Sequence, residues 1–82
     1  MTADLTHQIR TLIDGELFPL HESVYADTDL HSEGLDSLML MQLILLLERE
    51  FSITISPEDL DRVNFSTLTN IAALVRKKGA NP

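Results

Sequence analysis

The triplet Asp36-Ser37-Leu38 places a hydroxyl where a loop ending in Glu33-Gly34-Leu35 gives way to a strongly apolar run. A serine at such a helix start can do either of two things. Its oxygen can cap exposed backbone N–H groups, the commonest job for serine there. Alternatively, because unpaired N–H groups and the helix dipole favour an anion at that end, the oxygen can carry a phosphodiester. Asp36 has a matching pair of options: it can cap the same helix, or help hold a metal ion while a phosphoryl group is transferred. Hydrolytic chemistry fits poorly. His7, His21 and His31 show neither triad nor metal-ligand spacing, and only His31 is close to Ser37 in sequence, so no base is evident to activate the hydroxyl. The chain has no cysteine, which removes disulfides, thiolate metal sites and a thiol nucleophile together. Any thioester chemistry here needs a sulfur from an added group.

The run after Ser37 carries more apolar residues than the one stripe that a helix in a small bundle needs. From Leu38 to Leu47 only Gln42 is polar. Leu40, Leu43, Ile44 and Leu47, continuing to Phe51, form one stripe at helical spacing and face a core. Leu38, Met41 and Leu45 form a second stripe, rotated well round the helix. Either the preceding loop covers this second stripe, or it is an apolar patch for partner proteins, with methionine giving an adaptable surface. The second reading is favoured for Leu38 and Met41, which lie nearest Ser37.

The elements that must position Ser37 follow from periodicity and breakers. Leu5, Ile9, Leu12, Ile13 and Leu17 make one helical face, which Thr2 or Asp4 can cap and which Phe18-Pro19 ends. The second helix runs from Ser37 to Glu50. Phe51-Ser52-Ile53-Thr54-Ile55 alternates like a strand, but a strand with no partner is not stable, so it reads as a connector feeding Phe51, Ile53 or Ile55 to the core. Ser56-Pro57-Glu58-Asp59 opens a short helix with cap, proline and acids in order. Ser66 opens the last helix, whose inner face is Leu68, Ile71, Leu74 and Val75. Arg76, Lys77 and Lys78 suit its C-terminal end, and Gly79 stops it. The expected fold is all-α: a small four-helix bundle of three longer helices and one short one, with a long loop between the first two. That aperiodic loop, about Phe18 to Asp36, is long enough to suggest a function. Val24, Tyr25, Leu30 and Leu35 are expected to pin it to the bundle. Residues 1–82 read as a single domain with an ordered core of about 3–78.

The net charge is −7, and the acids Asp14, Glu16, Glu22, Asp27, Asp29, Glu33 and Asp36 follow one another with no lysine or arginine between them. Phosphate-backbone binding needs clustered cations, so nucleic acid is disfavoured. The acidic loop either keeps a small protein soluble or attracts basic protein partners through fast, salt-sensitive encounters, with Asp29 and Glu33 as its candidate contacts. No stretch is long and apolar enough to span a bilayer, and no basic-then-apolar leader opens the chain. A cytoplasmic protein with no membrane association is expected, and nothing demands an oligomer over a monomer.

The run Asp29-Leu30-His31-Ser32-Glu33-Gly34-Leu35-Asp36-Ser37-Leu38 resembles the phosphopantetheine attachment motif of the acyl and peptidyl (aminoacyl) carrier protein family, stand-alone type. The acidic balance, the long loop, the apolar second helix and its ending Glu48-Arg49-Glu50-Phe51 extend the similarity over essentially the whole chain. The resemblance implies a non-enzymatic carrier. A phosphopantetheinyl transferase would attach 4'-phosphopantetheine from coenzyme A to Ser37, with Asp36 as a transferase or metal contact or a cap. The arm's thiol would then carry a thioester, loaded by an adenylating ligase or acyltransferase and passed to downstream acyl-processing enzymes. Leu38, Met41, Leu45, Asp29 and Glu33 would meet those partners, and no metal belongs to the carrier itself.

One departure narrows the expectation. Fatty-acid carriers tend to place acids where this chain has Met39, Leu40 and Gln42, while Asp59-Leu60-Asp61-Arg62-Val63-Asn64-Phe65 and Gly34-Leu35-Asp36-Ser37 are similar to D-alanyl and other aminoacyl carriers. A specialised aminoacyl or secondary-metabolite pathway is therefore expected. The alternatives are a carrier for fatty-acid synthesis and, in another class, an unmodified helical interaction protein that uses Ser37 only as a cap.

Overall fold

The computed structural model describes residues 5–80. It holds three α-helices, α1 (Leu5–Glu16), α2 (Ser37–Phe51) and α3 (Leu68–Val75), and no strand among the described residues. The expected caps Thr2 and Asp4 lie outside those residues. Helix α1 buries Ile9 and Ile13, with Leu5 and Leu17 packed at the margin of the core, and it lies against α3. Leu12, expected on the same face, is only half-buried. The helix ends where the N–H groups of Leu17 and Phe18 both donate to the Ile13 carbonyl, just before Pro19.

Polar side chains of α1 then stitch down the returning chain. Asp14 Oδ1 accepts the Leu20 N–H at 2.8 Å. The Arg10 guanidinium donates to the carbonyls of Val24, at 2.6 Å, and His21, at 3.0 Å. Val24, Leu30 and Leu35 are buried as anchors of this segment, but Tyr25 is 71% exposed and is no anchor. Its N–H donates to Thr28 Oγ1 and its carbonyl accepts from the Thr28 N–H, a turn that leaves the inward position to Val24. Between α1 and α2 the only regular piece is a 3₁₀ turn, Leu30–Glu33. Asp29 caps that turn by accepting the His31 N–H, and Gly34 closes it at φ 122°, which favours glycine.

Helix α2 buries Leu43, Ile44, Leu46 and Leu47, while Leu40 and Phe51 pack at the core's edge. Phe51, expected inside, is half-buried because it is the last helical residue; Leu46, on neither expected stripe, is buried. Ser52 ends the helix in the left-handed region at φ 54°, and the connector then buries both Ile53 and Ile55. Glu48 Oε2 accepts the Ile55 N–H at 2.9 Å and fixes the connector's course.

Where a short helix is expected after Ser56, the chain makes only a single 3₁₀ turn, Pro57–Asp59. Helix α3 begins one residue later than expected, because Thr67 rather than Ser66 is the cap: Thr67 Oγ1 accepts the Asn70 N–H. Leu68, Ile71, Leu74 and Val75 are buried as expected, and Phe65, two residues before the cap, is fully buried in the same core. One π-helical turn, Arg76–Ala80, continues the chain, with Gly79 at φ 135°. Among the described residues no helix is long and apolar enough to cross a membrane.

Candidate functional site

At the entry to α2 the division of labour between Asp36 and Ser37 is settled by geometry. Asp36 is the N-cap, and its Oδ1 accepts the Met39 N–H at 2.9 Å. Ser37 is the first residue inside the helix, is exposed, and its hydroxyl has no hydrogen-bond partner among the described residues. The capping role open to Ser37 in the sequence therefore falls to its neighbour. Four other serines are engaged: Ser23 with His21, Ser32 with Asp29, Ser56 with Lys78 and Ser66 with the Val63 carbonyl. Ser52 lies past the C-terminal end of α2, where helix carbonyls repel an anion. Ser37 thus combines exposure, a free hydroxyl and the electropositive end of a helix.

A cleft of ≈ 510 Å³ opens beside Ser37. One wall is the 3₁₀ turn and the start of α2, contributing His31, Leu35, Asp36, Ser37 and Leu40. The other is the strip Leu60, Asp61 and Arg62. His31 ties the walls together. Its Nδ1 lies 3.3 Å from the Leu35 carbonyl oxygen and its Nε2 3.3 Å from that of Arg62. Both partners are acceptors, so a neutral ring can donate to one of them and only the imidazolium to both.

The remaining expected site residues divide. Leu38, Met41 and Leu45 are exposed by 65%, 56% and 64%, so the second stripe of α2 is left uncovered by the loop. Glu33 is exposed. Asp29 is exposed too, but its carboxylate is already engaged by the His31 N–H and the Ser32 hydroxyl. Those bonds, the first above all, hold its pKa below the ordinary value, with smaller help from the nearby charges of His31 and Arg62. Met39 and Leu40 are half-buried against the core, so of the three positions that lack acids only Gln42 is on the open surface.

Sequence reading missed Leu60 and Arg62 as cleft residues. A signal was present: Arg62 is the one basic residue between Arg49 and Arg76.

A family model described as a phosphopantetheine attachment site matches residues 5–75. The chain belongs to that family. Its covalently attached cofactor is 4'-phosphopantetheine, and the chain is a phosphopantetheine carrier domain. The residues at the entry to α2 fit such a group, offering a free exposed hydroxyl and a cleft with both apolar and cationic lining. The carrier is also 43% identical, over 53 residues, to the D-alanyl carrier proteins of Lactococcus lactis subsp. cremoris strains MG1363 and SK11 and of Lactococcus lactis subsp. lactis strain IL1403. Each alignment covers 63% of this chain and 67% of the relative.

Proposed function

We propose that Ser37 is the attachment residue and that this chain, acting as one non-catalytic domain, carries an aminoacyl group for a dedicated pathway. The observation carrying this reading is the division of labour at α2: Asp36 caps, leaving the Ser37 oxygen exposed and unbonded. In a phosphopantetheine family member with no cysteine, the attached group supplies the thiol that the polypeptide lacks. Attachment joins the Ser37 oxygen to the phosphorus of the pantetheine phosphate, breaks the pyrophosphate bond of coenzyme A with release of adenosine 3',5'-bisphosphate, and passes the hydroxyl proton to a transferase.

The chain's own residues position and present the arm. Helix α2 holds the Ser37 oxygen at a fixed edge of the bundle, and its first-turn N–H groups favour the attached anion. Leu38, Met41 and Leu45 form the apolar patch on which partner enzymes dock, and Glu33 and the neighbouring loop acids draw in a basic partner face. The partners in this reading are a phosphopantetheinyl transferase, an adenylating ligase and the enzyme that receives the cargo. The chain works as a monomer in the cytoplasm. In the four-helix description of the bundle, the Pro57–Asp59 turn stands for the short helix. Aminoacyl cargo is supported by the similarity to D-alanyl carriers and by the lack of an acid at exposed Gln42.

The test has two stages. Apo-protein incubated with coenzyme A and a broad-specificity transferase should gain the mass of one phosphopantetheine, with the modified peptide containing Ser37. Ser37→Ala should abolish the gain, and labelling that persists at Ser32, Ser52, Ser56 or Ser66 overturns the assignment. Holo-protein should then accept an amino acid from a D-alanine-activating ligase and serve poorly in fatty-acid elongation. Efficient elongation would return the chain to lipid synthesis.

A further inference from the structure

We propose that Arg62 anchors the phosphodiester on Ser37 and so steers the arm across the cleft, away from the apolar stripe of α2; this rests on Ser37 being the attachment residue.

The acids of the cleft are spoken for. Asp36 turns its carboxylate to the Met39 N–H, and Asp61 Oδ1 accepts the Asn64 N–H at 2.7 Å. Arg62 differs from them. Its guanidinium has no hydrogen bond or ion pair among the described residues. The nearby carboxylate that feels its charge, Asp29, is already bonded to the His31 N–H and the Ser32 hydroxyl. Arg62, with no bonded partner for its planar fork of donors, therefore lines the same cleft as Ser37, and a guanidinium matches phosphate oxygens in shape as well as charge.

The backbone of the strip that carries the fork is also held in place. The Arg62 carbonyl faces His31 Nε2, and the other nitrogen of that ring faces the carbonyl of Leu35, two residues before Ser37. His31 is thus a positioning residue that links the strip carrying the cation to the wall carrying the hydroxyl. Beyond its phosphate, a phosphopantetheine arm runs through one methylene to a carbon bearing two methyl groups. Leu40 and Leu60, on opposite walls, offer the apolar contact such a group would take. An arm seated this way leaves Leu38, Met41 and Leu45 free for a docked enzyme.

The experiment uses isotope-labelled full-length protein converted to the holo form, with the mass gain at Ser37 verified first. In the wild type, contacts should be seen by nuclear Overhauser effects between the arm's paired methyl groups and Leu60, and the Arg62 Nε–H signal should shift on going from apo to holo. In Arg62→Ala and Arg62→Gln the mass gain should remain and those contacts should be lost. Arg62→Lys, which keeps charge without the fork, should keep them only weakly. If the wild-type holo-protein shows a freely tumbling arm, with no contacts and an unshifted Arg62 signal, the anchor is wrong while the attachment reading stands. If no mass gain appears at Ser37, both fall.

Discussion

Lys78 Nζ lies 2.7 Å from Asp59 Oδ2, with the two side chains 19% and 5% exposed. The contact joins the turn after α3 to the 3₁₀ turn at Pro57, and Asp59 accepts the Ser56 N–H as well. The bond from Lys78 first, and that from Ser56 second, hold the Asp59 pKa below its ordinary 3.8. A depressed carboxylate stabilises the fold above its unfolded value and loses that contribution as pH falls through the folded one. Asp59→Asn should therefore melt well below wild type above about pH 5, and the gap should close in more acidic buffer. A gap independent of pH would show that shape, not charge, matters there. Lys78→Met should lower the melting temperature at neutral pH, since it strands a buried carboxylate.

Asp36 and Ser37 should separate stability from modification. Asp36→Ala removes the α2 cap and should cost about 1 kcal/mol. Ser37→Ala removes no hydrogen bond and should stay within about 0.5 kcal/mol of wild type. Denaturant titrations of the two apo variants check this, and equal losses would mean that Ser37 shares the cap.

The two faces of α2 should respond oppositely to truncation. Leu47→Ala opens a cavity in the core and should cost roughly 2–5 kcal/mol, whereas Met41→Ala should change stability by less than about 0.5 kcal/mol. The same Met41 change should weaken loading by the partner ligase. Thermal melts paired with a loading assay distinguish the two effects.

Gly34 should tolerate no side chain. A Cβ there would lie 3.5 Å from the Phe18 ring, an ordinary contact, so the penalty comes from φ 122° rather than from a clash. Gly34→Ala should cost about 1–3 kcal/mol and slow attachment at Ser37 by loosening the turn that leads into α2. Trimming Phe18 alongside it would not restore stability.

Helix faces were legible because burial repeats with helical period: Ile9 and Ile13, Leu43 and Leu47, and Ile71 and Leu74 all read correctly from spacing. Composition and position also brought Asp36 and Ser37 forward, but could not say which of two adjacent capping residues caps. Neighbouring positions were likewise ambiguous at Val24 and Tyr25, where a turn bond decides which side chain goes inward. Pairings across the chain left no local trace. Lys78 and Asp59 each had a plausible role at its own helix end, and their union is visible only once α3 is folded back. The link from His31 to Arg62 spans a longer gap and was hidden for the same reason.

The open stripe on α2 is also a measuring stick. Leu38, Met41 and Leu45 lie on one rigid rod whose first residue bears the free hydroxyl, and at 1.5 Å per residue the stripe reaches about 10 Å along the axis. An enzyme that grips all three must hold its own apolar hollow at that set offset from its tunnel mouth. Two enzymes with unrelated folds could then share this carrier by matching one spacing, and an enzyme with the right chemistry but the wrong spacing would be refused.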